Sequence, residues 1–86
     1  MAKISKRNYT TRKRNIYSFE ASWELADRTV NWEAKIWRGG QVVGAQGGTF
    51  WDTPGSDIDK LVAGRVRANL EAGMENAGIR PPRVDA

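Results

Sequence analysis

The residues with the clearest chemical potential are six cations in the first fifteen positions, which no acidic residue interrupts. Cations neutralise phosphates and release counterions, and the amide and hydroxyl side chains between them can hydrogen-bond phosphate oxygens. Tyr9 can stack on an exposed base. The segment therefore favours nucleic-acid or nucleoprotein binding, with the phosphates contacted by Lys3, Lys6, Arg7, Arg12, Lys13 and Arg14.

A basic segment of this kind has alternative explanations. It can be a solvated tail, contact an acidic protein or an anionic membrane, or serve as an organelle transit peptide. An affinity that does not change with salt would exclude phosphate binding. If all six cations contact a DNA duplex, the log–log slope of affinity against salt is roughly −5, at about −0.9 per neutralised phosphate.

The positive charge is confined to this segment. Residues 1–15 carry six cations and no acid, giving +6, whereas residues 16–86 carry eight cations and ten acids, giving −2. The sum is the net charge of +4. The rest of the chain is therefore slightly acidic, and we expect phosphate binding to depend on the first fifteen residues.

Catalysis is not expected, because the chain has no histidine and no cysteine. Carboxylates are the remaining candidates, and Asp52, Asp57 and Asp59 cluster near a predicted helix start, where they could hold Mg²⁺. Capping of the helix explains the same residues without an ion. We therefore predict a non-catalytic binding protein with no cofactor and no metal.

Cysteine content and hydropathy set the expected location. Without cysteine the chain has neither a disulfide framework nor a thiolate metal site, and no apolar run approaches the roughly 18 residues that span a bilayer. A cytoplasmic protein that does not enter a membrane is expected.

Three antiparallel strands are predicted behind the basic segment. Apolar and polar residues alternate from Ile16 to Leu25 and again from Val30 to Trp37. Gly39-Gly40 is typical of a two-residue turn, which leads into a third strand from Gln41 to about Ala45. This turn sets a register in which Trp37 lies opposite Val42, Ile36 opposite Val43, and Ala34 opposite Ala45.

One helix should follow and cover the sheet. Ser56 is placed to cap its start, an apolar residue recurs every three or four positions up to Ala77, and Gly78 is placed to end it. The predicted fold class is α+β, with a three-stranded antiparallel meander packed on one C-terminal helix (βββα). We expect residues 1–15 to be a flexible, disordered basic arm, residues 16–79 to be the domain, and residues 80–86 to be an extended tail rich in proline and arginine.

The sheet face turned away from the helix is a second candidate surface. The sequence predicts an acidic face, with Glu20, Glu24 and Glu33 around a pair formed by Trp37 and Val42. Such an aromatic residue can anchor a protein partner, or the pair can simply stabilise the hairpin. The alternative function is therefore a protein–protein adaptor or inhibitor, of the kind that mobile elements encode.

Two further features of the sheet bear on its partners. Lys35 and Arg38 at the hairpin tip would assist nucleic-acid binding. Because the strand starting at Ile16 should have one open edge, a homodimer formed by edge pairing or through the Trp37 face is also expected.

Overall fold

A computed structural model describes residues 2–53 and 55–77, and these residues form four strands and one helix. The elements are β1 (Ala2–Thr10), β2 (Ile16–Ala26), β3 (Thr29–Arg38), β4 (Gln41–Trp51) and α1 (Ile58–Glu71). The strands form one antiparallel sheet in the order β1-β2-β3-β4. The predicted α+β class, with an antiparallel sheet and a C-terminal helix, is confirmed.

The prediction of three strands is wrong, and a disordered arm is not confirmed, because residues 2–10 form β1 and pair with β2. Ile4 lies opposite Ala21 and is only 3% exposed, and Tyr9 lies opposite Tyr17. An even-numbered and an odd-numbered residue cannot share one face of a regular strand. A bulge between Ile4 and Arg7 contains one extra residue, so the side chains of Ile4 and Tyr9 both lie on the face that packs against α1.

The predicted strands from Ile16 to Leu25 and from Val30 to Trp37 are confirmed as β2 and β3, and both turns beside β3 are tight. Asp27 and Arg28 join β2 to β3 with φ of 49° and 64°. Gly39 and Gly40 join β3 to β4 with φ of 61° and 80°, as a two-residue turn requires. Trp37 pairs with Val42 as predicted.

Beyond that pair, the predicted register of β4 is wrong. A bulge next to Trp37 shifts the pairing, so Ile36 lies opposite Gly44 and Ala34 lies opposite Gln46. Since side chains alternate between faces, a shift of one residue exchanges the faces of all those that follow. Gln46 is therefore fully buried on the helix side, and Ala45 lies opposite Lys35 and not opposite Ala34.

The core lies between one face of the sheet and α1. Its sheet side is aromatic and aliphatic, and α1 contributes a stripe of small and branched side chains. The buried members are Ile4, Tyr17, Phe19, Ala21, Trp32, Ala34, Ile36, Val62, Ala63, Val66 and Leu70. In the part of the chain that the structure describes, no helix is both long and apolar enough to cross a membrane.

Both predicted ends of the helix need correction. The N-cap is Asp57, not Ser56, and its carboxylate accepts a hydrogen bond from the Lys60 backbone N–H at 3.2 Å. α1 ends at Glu71, because Gly73 already supplies the left-handed residue, with φ of 78°. Gly78 and the predicted tail at 80–86 lie outside the described residues.

The chain after α1 returns to the edge of β4. The Gln46 side chain donates to the Met74 carbonyl at 3.1 Å and accepts from the Asn69 side chain at 3.2 Å. The Gly47 N–H donates to the Ala77 carbonyl at 2.9 Å. The buried amide of Gln46 therefore joins the sheet, the helix and the segment that follows it.

Gly44 lies under this returning segment, and Gly44→Ala is expected to destabilise the protein by about 1–3 kcal/mol. A β-carbon there would lie 2.5 Å from the Glu75 carbonyl oxygen, so the segment would have to move. Gly64→Ala is the matched control. Apart from the adjoining residues and backbone of its own helix, no atom lies within 4 Å of its added carbon, and alanine should stabilise the helix by up to about 1 kcal/mol.

Urea unfolding of the two variants beside the parent protein measures both effects. Equal midpoints for Gly44→Ala and the parent protein would mean that the returning segment does not pack on Gly44.

Candidate nucleic-acid interface

Two hairpin turns meet at one end of the sheet. Because β2 and β3 are antiparallel neighbours, the turn that enters β2 and the turn that leaves β3 lie side by side. The Arg38 guanidinium donates to the Asn15 side-chain oxygen at 3.0 Å and so links the two turns. We call this region, with its four cations Arg12, Lys13, Arg14 and Arg38, the basic end.

The turn between β1 and β2 has a defined backbone. Thr11 is buried, and its N–H donates to the Asn15 carbonyl at 2.9 Å. The Thr11 hydroxyl oxygen accepts from the Asn15 N–H at 3.1 Å, and its carbonyl accepts from the Arg14 N–H at 2.8 Å. The three exposed cations at residues 12–14 thus project from a turn that is already folded, which reduces the ordering required on binding.

Glu71, the last residue of α1, holds this turn against the helix. Its carboxylate accepts the backbone N–H of Arg12 at 3.1 Å and the phenolic hydroxyl of Tyr9. The Tyr9 hydrogen bond, together with the Arg12 N–H, lowers the pKa of Glu71, and the same hydrogen bond raises the pKa of Tyr9. Tyr9 is half-buried and packed against the core, and its stacking on a base stays a prediction.

The contacts of Glu71 predict a loss of stability in acid. A carboxyl group whose pKa is lowered by folding stabilises the protein above its unfolded value of 4.5, and this contribution disappears as the pH falls through the lowered folded value. Glu71→Gln should remove this part of the pH dependence. The free energy of unfolding, measured in urea from neutral pH down through 4.5, tests this for the parent protein and the variant.

Glu24→Gln, which changes an exposed carboxylate on the outer face, is the control and should leave the acid-side loss in place. If the free energy of unfolding falls with pH by the same amount in the parent protein and in Glu71→Gln, the acid-side loss does not come from Glu71.

The other cations predicted to form an arm are distributed along β1. Lys3 lies opposite Ser22, on the face turned away from α1, which we call the outer face. Lys6 lies on the same face, with its Nζ 4.1 Å from the centroid of the Trp37 ring. Arg7 is exposed on β1, opposite Phe19. The six cations therefore do not act from a single flexible segment.

The strand β1 also changes the charge of the outer face. Glu20 lies opposite Lys35, Ser22 lies opposite Glu33, and Glu24 lies further along β2, opposite Asn31. The sequence predicted an acidic face, but Lys3 and Lys6 of β1 join Lys35 there, so three lysines accompany the three glutamates. A concavity of about 480 Å³ follows this face, lined by Lys3, Glu20, Ser22, Glu33, Lys35 and Ala45.

The aspartates near the helix start have protein partners. Asp57 caps α1, as described above, and the Asp59 carboxylate accepts the indole N–H of Trp23 at 2.7 Å. Across residues 2–53 and 55–77, no group of three or more His, Cys, Asp or Glu side chains is placed to hold a metal ion. Asp57 therefore acts as the helix cap, and Asp59 holds the Trp23 indole through a hydrogen bond.

The open edge predicted for the strand starting at Ile16 does not exist, because β1 pairs along it. The outer strands of the sheet are β1 and β4. The edge of β4 is bridged in part by Ala77, next to Gln46. Homodimerisation stays a prediction, and β1 is now the strand through which edge pairing would occur.

The signal for the basic end in the sequence is the pair of turns that carry cations, at residues 12–14 and at Arg38. Strand order is what brings them together.

Comparisons of the chain with protein-family models, with curated proteins and with solved structures found no match.

Proposed function

We propose that this protein binds nucleic acid through its basic end and catalyses no reaction. The observation that carries the proposal is the placement of Arg12, Lys13, Arg14 and Arg38 on two adjoining turns, with Arg38 hydrogen-bonded to Asn15 at 3.0 Å. Among the described residues, these four cations outnumber the one carboxylate that is bonded to the turn, that of Glu71, and leave the potential positive. Such a potential attracts a polyanion and speeds its association.

The chemistry of these side chains suits phosphate. Three of the four are arginines, whose planar guanidinium groups can donate two parallel hydrogen bonds to one phosphate. Phosphate contacts fix the position and orientation of a nucleic acid but carry no sequence information. The proposed binding is therefore directed at the backbone of the nucleic acid, with little sequence preference.

Two lysines of the outer face lie next to the basic end. Lys6 and Lys35 both lie close to the Trp37 ring, at 4.1 Å and 5.8 Å from its centroid. Trp37 directly precedes Arg38. A nucleic acid bound at the basic end would therefore meet further cations along this face.

Salt dependence of binding tests the proposal. Affinity for a labelled DNA duplex should fall with rising salt, with a log–log slope of roughly −4 if the four cations of the basic end each neutralise one phosphate. A slope near zero, or no binding at low salt, would overturn the proposal. A slope of roughly −5 or steeper would mean that the cations of β1 also contact the duplex.

A protein–protein adaptor or inhibitor is the second candidate. The observation that favours it is the exposed apolar surface beside Trp37, where Val42 is 58% and Ile16 is 63% exposed. Capture of a partner from native lysate, with and without nuclease treatment, separates the two functions. A protein that is retained after nuclease treatment and lost with Trp37→Ala would support the adaptor.

A further inference from the structure

Trp37 lies on the outer face of the sheet, among cations. It pairs with Ser18 on β2 and with Val42 on β4, near the end of β3. The Lys6 Nζ lies 4.1 Å and the Lys35 Nζ 5.8 Å from the centroid of its ring. Because Lys6 belongs to β1 and Lys35 to β3, the sheet itself brings both amines to the indole.

The surroundings of Trp37 are open. α1 packs on the opposite face of the sheet, and Val42 beside Trp37 is more than half exposed. Ile16 lies on the same face, two residues before Ser18 on β2 and closer to the basic end, and it is also exposed. Trp37 itself is half-buried, and the Lys6 amine lies over its ring, so a flat ligand reaches the indole from solvent by displacing this amine.

The position of this surface relative to the basic end identifies its ligand. Arg38 follows Trp37 in β3, and the turn with Arg12, Lys13 and Arg14 directly precedes the strand that carries Ile16. A chain whose phosphates lie on the basic end would continue along the outer face over Trp37. An aromatic ring next to cations matches a base next to its phosphates, because stacking and charge neutralisation occur together.

The geometry points to Trp37, with Lys6 and Lys35, as a stacking platform for an unpaired base. This inference rests on the proposed function and makes single-stranded nucleic acid the ligand. A duplex keeps the faces of its bases stacked inside the helix, whereas an unpaired strand exposes them. Lys6 and Lys35 then have a second role, since each can move from the indole to a phosphate of the bound strand.

The experiment compares a labelled single-stranded oligonucleotide with the duplex of the same sequence. Trp37→Ala should weaken single-strand binding by about 5- to 100-fold, the range that stacking on one aromatic side chain provides. Duplex binding should change by less than about twofold, since it depends on the phosphates. Trp37→Phe, which keeps an aromatic ring, should restore most of the single-strand affinity.

Trp51→Ala is the matched control. Trp51 is 74% exposed and pairs with Thr29, at the far end of the ladder between β3 and β4. Its removal should leave both affinities unchanged, and circular dichroism should show the parent fold for every variant.

Each outcome decides between the two proposals. Equal weakening of single-strand and duplex binding by Trp37→Ala, or no weakening, overturns the stacking platform while the proposed function stands. If the parent protein binds neither oligonucleotide, the proposed function itself fails. If Trp37→Ala loses a nuclease-resistant protein partner while oligonucleotide binding is unchanged, Trp37 belongs to a protein interface and the inference is overturned.

Discussion

Removal of residues 1–14 is expected to unfold the protein, and not merely to weaken its binding to nucleic acid. The deletion takes away all of β1 and with it the buried side chains of Ile4 and Thr11. Truncating one buried isoleucine to alanine alone costs about 2–5 kcal/mol. A domain of this size has a total stability of only about 4–13 kcal/mol, at roughly 0.05–0.15 kcal/mol per residue.

The deletion also exposes structure that β1 protects. The edge of β2 would lose its pairing from Ile16 to Trp23, and its backbone groups would become available to other chains. Glu71 would lose its hydrogen bonds to Tyr9 and to the Arg12 N–H, which are contacts of the end of α1 with β1 and the turn after it. Aggregation is therefore expected along with unfolding.

Circular dichroism and urea unfolding of the truncated chain measure this effect. The control variant Lys3→Gln/Lys6→Gln removes two charges of the same strand but keeps its backbone and Ile4, and it should unfold cooperatively near the parent midpoint. The unfolding midpoint of Ile4→Ala should lie between those of the truncated chain and this control variant. A truncated chain that unfolds at the parent midpoint would show that residues 1–14 are an arm and not a strand of the sheet.

Replacing the three cations of the β1–β2 turn by glutamine is expected to weaken duplex binding by a factor on the order of 10²–10³ at moderate salt. Each lost phosphate contact removes about 0.9 from the magnitude of the log–log salt slope, so Arg12→Gln/Lys13→Gln/Arg14→Gln should flatten it by roughly 2.7. Adding Arg38→Gln should flatten it by about 0.9 more. The fold should persist, because the three side chains of the turn are exposed and its backbone is closed by Thr11 and Asn15.

A control with the same change in net charge distinguishes local contacts from overall charge. Arg28→Gln/Lys60→Gln/Arg65→Gln removes three exposed cations that lie away from the basic end, on the β2–β3 turn and on α1. It should weaken binding far less than the turn variant. Equal losses in both variants, in affinity and in slope, would mean that net charge drives binding and that no basic end exists as a site.

The parts of the fold that follow from local rules were predictable from the sequence. Apolar and polar residues alternate from Ile16 to Leu25 and from Val30 to Trp37. A strand with one buried face shows this alternation because successive side chains point to opposite faces of the sheet. Gly39-Gly40 supplies two positive φ angles, and a two-residue turn depends on nothing beyond the flanking strands. The pairing of Trp37 with Val42 follows directly from that turn.

Features that depend on bulges were not predictable. In β1 the apolar residues change parity between Ile4 and Tyr9, so the alternation that identifies a strand is lost, and charge then dominates the pattern. In β4 a bulge next to Trp37 turns Gln46 inward, where its amide bonds with Asn69 and the Met74 carbonyl. Those partners belong to the helix and the segment after it, so the register of β4 depends on contacts that are remote in sequence.

The character of the candidate site could be read from the sequence, namely cations at residues 12–14 and at Arg38 next to an aromatic residue, Trp37. Folding places the two turns side by side, puts Lys6 over Trp37, and lets Lys3 and Lys6 offset the glutamates of the outer face. Charge and residue type are local properties of the chain. Which charges share a surface depends on strand order and register, which are set by the burial of Ile4, Gln46 and the rest of the core.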